Sequence, residues 1–340
     1  MPKKYGMLVS MAIGDSYGAG REFIPAEAAR KSNDGHTYRQ HPRWPELEPG
    51  RYTDDTQMAI ALSEFLLQGQ RTSLALADSF VATFRRDPRA GYAQGFHDML
   101  LDMKDGIDFL GLIEPFSDKS GGAMRAAPCG LLTDERDVID MAMFQASLTH
   151  ATKDGMEAAG AAAMLVWLCR RGVPREELGK DIGIYFPDHP WYIPWEDPVS
   201  NKGLDAAHAA ITAVESNENM SDILQHCINF TGDTDTVAAI AMAAASLHPD
   251  IAQDLHPDLY EKLENGTYGR GYLENLDSLL MDKFPLVKAD KFRQEHRKPK
   301  PKPKAPPISG SNIAQVLEVF DELPVYSILG IPVKKPGRKK

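Results

Sequence analysis

The chain has 340 residues, 43% of them hydrophobic and 25% charged, with a net charge of −10. That balance can bury a sizeable core, and it excludes both a wholly disordered chain and a disulfide-stapled mini-protein. No apolar run approaches the roughly 20 residues of a membrane helix, because Gly14-Asp15 interrupts the first candidate.

The opening residues Met1-Pro2-Lys3-Lys4-Tyr5 carry a basic pair without a small-residue cleavage pattern, so no signal peptide is expected. Cys129, Cys169 and Cys227 are odd in number and widely spaced, which suits buried thiols in a reducing cytoplasm. Gly14-Asp15-Ser16-Tyr17-Gly18-Ala19-Gly20-Arg21-Glu22-Phe23 lacks the spacing of a dinucleotide-binding turn, and no strand precedes it. Thr53-Asp54-Asp55-Thr56-Gln57-Met58 opens an apolar helix reaching about Leu67. Helical spacing then marks 72–86, 134–148, 154–171, 204–214 and 234–247. Alanine-rich stretches at 158–163 and 241–245 imply closely packed helices. Between them, residues 183–200 interleave four prolines with Tyr185, Phe186, Trp191, Tyr192 and Trp195, and read as a loop. Strand alternation is missing, so the fold reads as mostly α: one compact multi-helix body rather than two domains.

Charge is unevenly spread. Residues 288–340 hold 13 Lys and Arg against 5 Asp and Glu, leaving 25 against 43 for the body. The acidic body argues against nucleic acid as the main partner. Beyond it lie a charged proline-rich stretch, Arg297 to Pro307, a short segment that Ser311 could cap as a helix, and a basic terminus.

Two acidic helix starts carry the sharpest chemical signal. Gly232-Asp233-Thr234-Asp235-Thr236 opens a second apolar helix, as Thr53-Asp54-Asp55 opens the first. Thr and Asp are favoured N-caps, so capping alone accounts for either one. Brought together, the two starts would offer four carboxylates and two hydroxyls, a hard oxygen cage for Mg²⁺ or Mn²⁺. Spacing alone leaves both readings open. Ser120-Gly121-Gly122-Ala123-Met124-Arg125 places glycines before a helix, where backbone N–H groups can meet an anion or simply turn the chain. His150 follows an apolar helix, a common place for a structural hydrogen-bonder.

Taken in order, GDSYGAGREF, RYTDDTQM, SGGAMRAAPCG, THA and GDTDTVAAIA resemble the ADP-ribosylglycohydrolase family over roughly Gly6 to Leu247. The resemblance implies an all-α orthogonal fold over 1–290 with a binuclear magnesium or manganese centre; the basic extension over 291–340 has no counterpart in it. It assigns the metals to Thr53, Asp54, Asp55, Asp233, Asp235 and Thr236, and a catalytic base to Asp55 or Glu22. Ser120, Gly121, Gly122, Met124, Arg125 and His150 become the substrate side. ADP-ribosylated protein, its acceptor probed first at arginine, and ADP-ribose are the implied partners, in the cytoplasm and away from membranes. Two alternatives accompany this expectation: a contact inhibitor of an ADP-ribosyltransferase, and a hydrolase of ADP-ribosylated nucleic acid or of a small metabolite, the tail then gripping phosphates. One departure stands out. The family usually carries two glycines before the position of Asp233, whereas Thr231-Gly232 stands here.

Overall fold

A computed structural model of the protein describes residues 4–286. The proline-rich stretch, the Ser311 segment and the basic terminus lie outside the described residues. No strand is formed among the described residues, which hold only isolated bridges.

The chain runs through α1 (Met7–Ala19), α2 (Ala26–Lys31), α3 (Asp54–Gln68), α4 (Ser73–Arg86), α5 (Gln94–Asp102) and α6 (Gly106–Leu112). A single turn, α7 (Gly121–Met124), leads to α8 (Glu135–Ser147), α9 (Lys153–Arg170) and α10 (Leu178–Tyr185). The body closes with α11 (Gly203–Ser216), α12 (Met220–Phe230), α13 (Thr234–Ala245), α14 (Pro257–Glu261) and α15 (Arg270–Lys283). The expected helices fall within a residue or two of these bounds. Helices α1, α2, α5, α6, α12, α14 and α15 were not singled out by spacing, and α10 takes the first three residues of the expected 183–200 loop. Side chains of Thr53, Thr72, Asp134, Thr152 and Asn219 accept first-turn amides and fix five helix starts.

Helices α1 and α13 form the centre, every residue of both being buried. Their axes approach closely because α1 presents glycine. A Cβ on Gly14 would stand 2.4 Å from the Ala238 carbonyl oxygen, and one on Gly18 2.4 Å from Asp235 Cα. Any side chain there would force the two helices apart.

The aromatic loop is a stapled segment. Trp191 Nε1 donates to the Phe186 carbonyl at 2.9 Å, and the rings of Trp191 and Trp195 lie 5.5 and 5.4 Å from His208. Its continuation joins three parts of the chain. Asp233 N donates to the Val199 carbonyl at 3.1 Å, and Ser120 N to the Asn201 carbonyl at 3.0 Å. Residues 199–201 thereby hold the start of α13 beside the start of α7.

Candidate active site

The site is assembled around Asp15, a residue the sequence reading did not single out. It is fully buried on α1 and accepts from Thr53 N at 3.0 Å, Thr56 N at 3.1 Å, Thr53 Oγ1 at 2.9 Å and Thr56 Oγ1 at 2.6 Å. Four donors around one carboxylate lock the first turn of α3 onto α1. Burial still dominates and raises the Asp15 pKa to about 6.

With its amides thus satisfied, α3 turns Asp54 and Asp55 toward the start of α13. The Thr236 side chain lies against the carboxylates of both Asp55 and Asp233, and the Ser120 side chain against that of Asp233. Segments some 180 residues apart therefore share one polar cluster. Its electrostatics are unfavourable. Burial, then the charges of Asp15 and other cluster carboxylates, pushes Asp54 and Asp55 well above the usual carboxylate range. Burial and then Glu22 do the same to Asp235, and lift Asp233 to about 6.

Glu22 completes the group: oxygens of Glu22, Asp233 and Asp235 all lie within 4.8 Å of one another. Asp55 Oδ1 is buried with no hydrogen-bond partner among the described residues. An unpartnered carboxylate oxygen among like charges costs several kcal/mol. A hard divalent cation would relieve both penalties, and Glu22, Asp233 and Asp235 offer it carboxylate oxygens. Thr53, Asp54, Asp55, Asp233, Asp235 and Thr236 all lie at this cluster, as their spacing allowed.

The other wall is α7 and His150. Gly121 and Gly122 lie within the single turn rather than ahead of it, and a Cβ on Gly121 would stand 2.9 Å from His150 Cε1. Arg125 needs correction as a substrate residue. Its guanidinium is 1% exposed and lies 4.5 Å over the Phe80 ring. It donates to Gln145 Oε1 at 2.6 Å and Thr149 Oγ1 at 2.7 Å, while Gln145 holds the Gly122 carbonyl at 2.8 Å. Arg125 thus braces the glycine turn from behind. Met124 is likewise packed into the core.

The same network sets His150. Thr149 Oγ1, which accepts from Arg125, lies 2.6 Å from His150 Nδ1 and fixes the plane of the ring. Burial, then the Arg125 charge, lowers the His150 pKa to about 3, so the ring is neutral.

An all-helical body with buried carboxylates converging from two helix starts suits hydrolytic chemistry, and the family match makes it a glycosidic-bond hydrolase. The chain belongs to the ADP-ribosylglycohydrolase family, whose model matches residues 3–290. Among curated relatives it is 24% identical over 310 residues to the ADP-ribosylarginine hydrolase Tri1 of Pseudomonas putida, covering 82% of this chain and 81% of that one. It is 24% identical to the ADP-ribosyl-[dinitrogen reductase] glycohydrolase of Rhodospirillum rubrum, over 69% of this chain and 82% of that protein. Similarity to human ADP-ribosylhydrolase ARH3 is 30% over 191 residues, 51% of each chain. Among solved structures, an ADP-ribosylglycohydrolase-related protein complex shares the fold, with a TM-score of 0.62 and 24% identity over 82% of this chain and 96% of that one.

Proposed function

We propose that residues 1–290 form a catalytic domain that releases ADP-ribose from modified protein side chains, arginine first among them. The observation carrying this reading is the unpartnered Asp55 Oδ1 inside a cluster of mutually repelling carboxylates. A fold with no use for a cation has no reason to keep that arrangement. Thr53, Asp54, Asp55, Asp233, Asp235 and Thr236 would hold two Mg²⁺ ions, or Mn²⁺ in their place. When bound, such ions orient ribose hydroxyls and lower the pKa of a nearby water.

The chain's own groups do the rest. Cleavage at C1 of ribose develops positive charge on the sugar ring, which carboxylates stabilise and apolar walls would not. Asp55 or Glu22 takes the proton from the attacking water, and that proton becomes available to the departing side-chain atom. The turn of Ser120, Gly121 and Gly122 offers backbone N–H groups to the diphosphate. His150, a neutral imidazole, meets the substrate from the facing wall. Arginine as acceptor is supported by the name of the Tri1 relative from Pseudomonas putida. Residues 291–340 would form a separate basic extension. Three buried, unpaired cysteines support a reducing cytoplasm as the site of action. Among the described residues no helix is long and apolar enough to cross a membrane.

The test is incubation of the full chain with arginine-, serine- and nucleotide-linked ADP-ribose, with Mg²⁺, with Mn²⁺, and with chelator. Release from the arginine conjugate that chelator abolishes is the expected result. Release that chelator leaves untouched would overturn the metal assignment, and preference for another conjugate would overturn the acceptor.

A further inference from the structure

We infer that His41 is a positioning residue that holds Glu22 at the acidic cluster; this rests on the catalytic reading of Glu22 given above. Glu22 has a reason to leave. Its side chain is 14% exposed, and its oxygen lies within 4.8 Å of Asp233 and Asp235 oxygens. Like charges at that range push toward solvent unless something pulls back.

Two grips oppose the push. Along the backbone, Phe23 N donates to the Gly232 carbonyl at 2.9 Å, tying the residue after Glu22 to the loop that delivers Asp233. Phe23 takes φ 48°, a left-handed conformation uncommon for a bulky residue. At the carboxylate, Glu22 Oε2 accepts from His41 Nε2 at 3.0 Å and from the Arg43 guanidinium at 2.8 Å.

His41 is the firmer of the two donors. The Arg43 side chain is 57% exposed, and a solvated arginine loses side-chain freedom to make such a contact. The His41 side chain is 1% exposed, and its Nδ1 accepts from Arg43 N at 3.0 Å and Trp44 N at 3.1 Å. A ring nitrogen receiving two N–H groups carries no proton, so the ring hydrogen sits on Nε2, aimed at Glu22. The turn at 41–44 thereby sets both the tautomer and the direction of the donor.

The two ends of the ring can be tested apart. His41→Asn retains an acceptor for the Arg43 and Trp44 amides and loses the reach to Glu22. His41→Gln retains a donor near Nε2 and loses that acceptor. With the arginine conjugate and Mn²⁺, His41→Asn should lower kcat about 30-fold, the order seen when a supporting hydrogen bond is removed, with KM changed less than about twofold. His41→Gln should stay within about threefold of the unsubstituted enzyme. Placed on Glu22→Gln, His41→Asn should add less than about a twofold loss, since both act through one carboxylate. Crystals of metal-free His41→Asn should show the Glu22 carboxylate turned away from Asp233 and Asp235, and those of His41→Gln should show it in place. Equal losses in both variants, full kcat in His41→Asn, or an unmoved Glu22 would each overturn the positioning role. Full kcat in Glu22→Gln would overturn instead the catalytic reading of Glu22.

Discussion

Two regions of this protein bury carboxylates at helix starts, and they treat them differently. At the start of α1, whose N-cap is Gly6, Asp277 from α15 supplies the missing cap, accepting from Leu8 N at 2.9 Å and Val9 N at 3.3 Å. It stands beside Glu274 alone among the acids that raise it, and both its oxygens are used. At the starts of α3 and α13, acids crowd together and one oxygen has no partner. A carboxylate that serves the fold is matched to donors; under the proposed function, the crowded carboxylates are the ones left in want of a cation.

The sharpest way to break that contrast is substitution on each side. Asp55→Ala or Asp235→Ala should cost on the order of a thousandfold in ADP-ribose release, as loss of a principal charge-stabilising group does. In chelator the same variants should melt no lower than the unsubstituted protein, because each removes a buried, repelled charge. Asp277→Ala should do the reverse. Release is retained, while the melting temperature falls by several degrees, since two buried amides lose about 1–3 kcal/mol with their acceptor. Calorimetric melting and a release assay on the three variants check the pair of outcomes.

A smaller effect sharpens the Asp277 side. Burial outweighs the two amide hydrogen bonds and raises its pKa from 3.8 to about 7. The folded state therefore binds this proton more tightly than the unfolded chain does. The stability it contributes is whole below about pH 4 and is lost as pH rises through about 7. Asp277→Asn, neutral at every pH, should escape the loss of stability that the unsubstituted protein suffers between about pH 5 and about pH 8.5. A melting difference independent of pH would contradict the assignment.

The smallest effect concerns the loop that carries Asp233. Thr231 has φ 68° and ψ 173°, a region that suits glycine and strains a β-branched residue by about 1–3 kcal/mol. Thr231→Gly recovers that strain and gives back about 0.5–1 kcal/mol of chain entropy. A rise of about 2 °C in melting temperature follows, and a fall would show that the buried threonine side chain matters more than its backbone.

How much of this was legible in the sequence depended on amphipathicity and on separation along the chain. Helices α4, α8 and α11 face the core with one side, and their apolar spacing marked them. Helix α1 is buried all round, so it shows no stripe, and Gly14 reads as an interruption where, like Gly18, it is a point of close approach. The acidic starts were legible because they combine two adjacent carboxylates and an Asp-x-Asp with caps. Asp15 left a fainter signal, a carboxylate inside an apolar run. Arg125 was misread because its motif sits at the site while its guanidinium turns into the core. His41 and Arg43 lie in a segment without periodicity, and only folding brings them to Glu22.

The most direct test of the shared site is a crystal of the full chain soaked in Mn²⁺, with anomalous density collected at the manganese edge. Two peaks about 2 Å from oxygens of both the Thr53–Asp55 turn and the Asp233–Thr236 turn are expected. Density bound by one turn alone, or a cluster whose carboxylates share protons with each other and hold no ion, would contradict it.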